Sequence, residues 1–220
     1  MSVDICVYWG PRQQPVETLV AQVATYFRIL AQIDDRLARW APKGPSSRRA
    51  MSSEAVDTAS PEVLRGFLLK GQNKTDMPPR QPIPELGYSL SFWNQRCGNL
   101  EAACTVHCGA YSDYLSQDGQ NSALLELTFL NEAHVAAPVL LDVLIKAIDI
   151  WRPDWGTIWR YVNAGHPDGA PWDRRHVQYA FYQSQGGVGP TGRDIGRRQV
   201  LGAQGSLWIN DTVAPLMETA

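Results

Sequence analysis

Between residues 16 and 40 the apolar side chains Val16, Leu19, Val20, Val23, Phe27, Leu30, Leu37 and Trp40 recur at spacings that return to one side of a 3.6-residue helix. The spacing predicts one long helix over about residues 15–40, closed by Pro42, Gly44 and Pro45, which cannot continue it. A helix with a single apolar side has to bury that side against another layer. The remainder of the chain must supply that layer.

Strands supply it. Residues 3–9 alternate a β-branched or aromatic set with Asp4, Cys6 and Tyr8, and Gly10-Pro11 ends the run. Further short strands are predicted over residues 87–94, 100–111, 124–130, 155–162, 176–183 and 206–210, with Gly98-Asn99 as a turn and the polar run 112–121 as a longer connection. A second helix opens at Ser60-Pro61, where serine caps free amides and proline has none to lose, and closes at Gly71, with Leu64, Phe67 and Leu68 inward. A third begins near Pro138 and ends before Pro153, with Val139, Leu140, Val143, Leu144, Ala147, Ile148 and Trp151 suited to covering a sheet. Residues 73–84 hold four prolines and read as an extended, irregular connection, and the glycine-dense 186–192 as a mobile loop. This order predicts the α+β class: a single domain over 1–220, mainly an antiparallel sheet, with the long N-terminal helix and the mid-chain helix packed largely on one face.

With 44% hydrophobic and 19% charged residues the chain is globular in balance. A net charge of −2 gives no field that would attract a phosphate backbone, so direct nucleic-acid binding is not expected. Arg193, Arg197 and Arg198, beside Asp194, read as a solvated loop. The start Met1-Ser2-Val3-Asp4-Ile5 lacks the basic and apolar regions of a secretory signal, and no stretch is apolar enough to span a membrane. A cytoplasmic protein with four free thiols, Cys6, Cys97, Cys104 and Cys108, is the expectation.

Chemistry is sparse. Cys104, His107 and Cys108 are good zinc ligands by type, but on a strand the two cysteines face one way and His107 the other, so they do not converge. The glycines of 186–192 lack the Gly-Lys-Ser/Thr ending of a phosphate loop, and Ser89 lacks the second glycine of a nucleophile elbow. Asp34 and Asp35 diverge on a helix and read as solvated charges, and the four histidines have no metal spacing. No catalytic residue, metal or cofactor is therefore assigned. Two alternatives remain open: a small enzyme whose site is assembled from distant residues such as Cys108, His107 or Asp154, and an adaptor subunit of a secretion assembly.

Four pieces occur in order: Tyr8-Trp9-Gly10-Pro11-Arg12 before the long helix, Leu86-Gly87-Tyr88-Ser89-Leu90 followed by Trp93-Asn94, His107-Cys108-Gly109-Ala110-Tyr111, and Trp151-Arg152-Pro153-Asp154-Trp155-Gly156. In type, order and spacing over about residues 5–160 they resemble bacterial immunity protein family 52, found beside restriction-endonuclease-like toxins of polymorphic and type VI secretion systems. The resemblance implies a non-enzymatic inhibitor that covers the active or DNA-binding surface of a cognate nuclease toxin. Such a partner is basic along its phosphate path, which directs attention to loops joining aromatic and acidic residues. Two sets qualify: Tyr111, Asp113, Tyr114 and Asp118, and Asp168, Trp172 and Asp173. Turns also contain these residue types for backbone reasons alone. Trp9, Trp93, Trp151 and Trp155 are expected in or at the rim of the core.

Overall fold

A computed structural model describes residues 2–44, 47–112, 121–129, 137–163, 174–186 and 196–211. The elements run β1 (Ser2–Trp9), α1 (Val16–Ile33), β2 (Ala41–Pro42), α2 (Ser47–Ser52), α3 (Pro61–Lys70), β3 (Tyr88–Trp93), β4 (Leu100–Cys108), β5 (Asn121–Phe129), α4 (Ala137–Trp151), β6 (Trp155–Asn163), β7 (Arg174–Ser184), β8 (Arg197–Val200) and β9 (Gly205–Ile209). The nine strands form one sheet in the order β2-β3-β4-β5-β1-β6-β7-β9-β8. Every pairing between them is antiparallel. The fold is α+β.

Alternation along the strands gives the sheet two unlike faces. In β1 the side chains of Val3, Ile5, Val7 and Trp9 are buried against the helices. The registers put Phe92, Cys104, Leu125, Ile158 and Ala180 on this same face. An aromatic chain locks the helices to it. Trp9 of β1 stacks on Trp151 of α4 at 5.2 Å, and Tyr26 of α1 meets Trp151 edge-on at 5.9 Å. Phe92 of β3 receives Phe27 of α1 at 5.4 Å and Phe67 of α3 at 5.2 Å. Each such ring contributes about 1.5–3 kcal/mol by leaving water. Gly156 permits the fit where α4 crosses β6: a Cβ there would lie 2.9 Å from Val7 and 3.3 Å from Leu144.

The first helix stops seven residues short of the predicted end at Trp40. Asp34 is extended, at φ −150° and ψ 122°, because its carboxylate accepts the Arg36 amide at 2.9 Å and opens a 3-10 turn, Asp35–Leu37. The apolar period outlasts the helix because Leu37 and Trp40 still point into the core, with the Trp40 indole donating to the Leu37 carbonyl at 2.7 Å. Asp34 is accordingly not a solvated charge: it pairs with Arg36 at 2.6 Å, and Arg36 reaches Asn99 at 2.7 Å. β5 starts at Asn121 rather than at Leu124, and Arg197 and Arg198 belong to a strand, β8, rather than to a loop. β2 and α2 were not predicted. As predicted, Ser60 caps α3, accepting from the Val63 amide at 3.4 Å, and His107 faces away from Cys104 and Cys108. Residues 73–84, expected to be an irregular connection, hold no strand, but one antiparallel bridge between Lys74 and Pro82 closes 73–83 into a small hairpin, in which the Ile83 amide donates to Asn73 at 2.8 Å and the Thr75 amide to Gln81 at 2.9 Å.

Candidate functional site

The four dispersed sequence pieces converge on one end of the sheet, except Trp93-Asn94, which lies at the other end of β3 beside Ala103, Ala102 and Leu100. Asn121, fully buried at the start of β5, accepts the Ala110 amide at 2.8 Å and donates through Nδ2 to the carbonyls of Gly10 and Ala110 at 2.8 and 3.1 Å. The Arg12 amide donates to the Ala110 carbonyl at 2.8 Å, and its guanidinium donates to the carbonyls of Trp151 and Arg152 at 2.9 and 3.1 Å. Burial lowers the Arg12 pKa while nearby Asp154 opposes the shift. The Gly10 amide donates to the Asp154 carboxylate at 2.8 Å. Gly87, at φ +64°, lies so close to this bundle that a Cβ would sit 2.4 Å from the Cys108 carbonyl oxygen. These bonds satisfy backbone groups where five segments leave regular structure. They fix where the neighbouring loops begin.

The sheet face turned away from α1, α3 and α4 carries a different chemistry. Tyr8 stacks on Trp155 at 4.1 Å between β1 and β6, and the register places Trp159 four residues farther along β6, opposite Asp4. Phe181 meets Trp208 at 5.9 Å, and the Arg198 guanidinium lies 5.5 Å over the Trp208 ring while donating to Ser206 at 2.8 and 3.1 Å. A groove of about 490 Å³ opens beside Arg198, Trp208 and Gln183. Asp4 of β1 stands directly opposite Glu126 of β5, two carboxylates at one cross-strand position. Tyr8, Trp155, Trp159 and Trp208 are half-buried. Rigid aromatic rings with interspersed charge, on a face without those helices, can bind another macromolecule.

The model of a protein family described as Immunity protein 52 matches residues 4–192. The chain belongs to the Immunity protein 52 family. The match runs past residue 160, where the resemblance read from the sequence pieces ended, and takes in β6 and β7. A comparison with curated proteins finds no match.

Of the loop residues singled out in this Immunity protein 52 chain, Tyr111 is described: half-buried at the converging end, its amide donates to the Glu85 carbonyl at 2.9 Å. Asp113, Tyr114, Asp118, Asp168, Trp172 and Asp173 lie outside the described residues, as does most of the glycine-dense 186–192. The strands that flank the two sets are nevertheless placed. The chain leaves β4 and enters β5 beside Trp9, whereas it leaves β6 and enters β7 beside Ser2. The two sets are thus anchored at opposite ends of the strands, roughly 25 Å apart along the nine residues of β6.

The enzyme alternative named three participants, and they do not assemble. Cys108 is buried, its thiol pushed up to about 12 by loss of hydration, and His107 points to the other face. Asp154 is committed to the Gly10 amide. Among the described residues no group of three His, Cys, Asp or Glu side chains could hold a metal ion. The aromatic set on the far face was missed because each ring was weighed for burial alone. Positions 8, 155 and 159 share one face by strand alternation, and that parity was the available signal.

Proposed function

We propose that this chain is an immunity protein that binds a cognate nuclease toxin and neutralises it by covering its active or DNA-binding surface. Membership of the Immunity protein 52 family carries this reading. An immunity protein acts by occupying a surface, and the described residues supply rigid aromatics on the far sheet face suited to that, together with a dense bonding knot that fixes the chain up to Tyr111. No described helix is long and apolar enough to cross a membrane, and a nuclease is neutralised where the DNA is, which supports action in the cytoplasm. Tyr111, Asp113, Tyr114 and Asp118, with Asp168, Trp172 and Asp173, are the proposed contact residues, their carboxylates steering association with a basic phosphate path.

The test is direct. The purified chain is titrated into the nuclease toxin encoded beside it, and DNA cleavage is followed. Loss of cleavage at one-to-one stoichiometry is expected, together with co-elution as a complex. Undiminished cleavage at excess inhibitor would overturn the proposal.

A further inference from the structure

The hairpin of residues 73–83 projects from the end of the sheet that holds the bonding knot. Two backbone rungs close it, and Thr75 reinforces the tip: its hydroxyl oxygen accepts the Gln81 amide at 3.0 Å and its hydroxyl donates to the Met77 carbonyl at 3.3 Å. At the base, the Asn73 amide donates to Gly87 at 3.1 Å and its side-chain amide to Leu86 at 2.6 Å. Pro78, Pro79 and Pro82 restrict the backbone further. The tip is exposed from Asp76 to Arg80, and Met77, at 79% exposure, is the most exposed large apolar side chain among the described residues.

A lone exposed methionine is ordinary. One held at the apex of a braced hairpin differs, because the backbone has little freedom left to lose when a partner closes around it. Asp76 and Arg80 flank it with cancelling charges, so the tip is not drawn into a phosphate path and fits an apolar pocket. The hairpin also adjoins a proposed contact segment: Glu85, just past it, receives the Tyr111 amide at 2.9 Å, and Asp113 and Asp118 follow Tyr111 in the chain.

We propose that the 73–83 hairpin is the apolar anchor of the toxin complex, with Met77 entering a pocket on the toxin that borders its basic, DNA-binding surface. This rests on the immunity reading above. The toxin is the occupant because the base of the hairpin meets Tyr111, a residue that reading uses in the contact, so a single toxin surface with an apolar pocket at its margin meets both. Met77 has the flexible, polarizable side chain that fills such a pocket.

The experiment measures dissociation of a catalytically inactivated form of the neighbouring toxin from wild type, Met77→Asp, Met77→Leu and a matched control, Met51→Asp, at a methionine on α2 that is 72% exposed. Thermal melts verify that all four are folded. Met77→Asp is expected to release the toxin at least about tenfold faster, with Met77→Leu and Met51→Asp close to wild type. If wild type binds and Met77→Asp releases no faster, or Met51→Asp releases as fast, the anchor is overturned while the immunity reading stands. If wild type itself fails to bind, both fall.

Discussion

The carboxylate of Asp154 accepts the Gly10 amide at 2.8 Å across 144 positions of sequence. Its main chain is engaged as well, the amide donating to Tyr8 at 2.8 Å and the carbonyl accepting from Ser184 at 2.9 Å. One residue thus joins the end of β1, the start of β6 and the end of β7.

Removing that carboxylate leaves the Gly10 amide without its charged acceptor, so Asp154→Ala is expected to cost about 2 kcal/mol. Asp154→Asn keeps an oxygen in place and should cost about half as much. Urea unfolding midpoints compare the two. Equal stability of Asp154→Ala and wild type would show that the bond contributes nothing.

Asn121 answers three backbone groups from a fully buried position. Asn121→Ala orphans the Ala110 amide and the Gly10 carbonyl, while the Ala110 carbonyl keeps the Arg12 amide, with an expected loss of about 3 kcal/mol. Asn121→Asp retains the acceptor for Ala110 but turns a carboxylate toward two carbonyls, and is expected to be at least as damaging. A variant that melts with wild type would remove Asn121 from its role as keystone of the knot.

The Asp34 carboxylate is held below its ordinary value of 3.8, first by the side-chain hydrogen bond from Arg36 and against the opposing effect of burial. A carboxylate depressed in the folded state contributes stability that is present above its unfolded pKa and is lost as pH falls through the folded one. Wild type is therefore expected to lose stability faster than Asp34→Asn below about pH 4 and to match its pH dependence above pH 5. Parallel curves of unfolding free energy down to pH 3 would contradict this.

Three of the four thiols are buried, and burial pushes Cys6 and Cys108 up to about 12 and Cys104 higher still. Cys97 is exposed. A thiol-reactive disulfide reagent at pH 8 is expected to modify one cysteine rapidly in the native protein and four after unfolding, since reaction needs both thiolate and access. Two or more rapid equivalents in the native state would mean that the sheet opens on the time scale of labelling.

Legibility in the sequence followed periodicity. The α+β class, most strand positions and both long helices were readable because Val3, Ile5 and Val7 alternate, and Leu19, Val23, Phe27 and Leu30 step as a helix does. The end of α1 was not, because Leu37 and Trp40 keep the apolar rhythm in a 3-10 turn whose cause is the short-range Asp34 to Arg36 bond. β8 escaped because an exposed edge strand, Arg-Arg-Gln-Val, has no buried side to leave a pattern. The collinear pieces marked the family, but that Gly10, Gly87, Ala110 and Asp154 meet at one end is a matter of strand order, which spacing does not encode. The 73–83 hairpin is likewise held by backbone and Thr75 bonds rather than by apolar packing.

The opposite anchoring of the two acidic loop sets gives a prediction about how the toxin approaches. One basic patch cannot lie against strand ends roughly 25 Å apart unless it also runs along the sheet between them. The hairpin tip and Tyr111 lie at the β4–β5 end, which favours Asp113 over Asp173 as the steering charge. Asp113→Lys is expected to slow association with the neighbouring toxin several-fold at low salt, with the difference shrinking as salt rises, and Asp173→Lys to slow it to a smaller extent. Neither reversal should move the melting temperature appreciably, since the role proposed for both residues is in association and not in folding. Stopped-flow association at two ionic strengths decides it: a larger effect at Asp173 would place the main approach at the β6–β7 end, and no effect at either position would move the interface elsewhere.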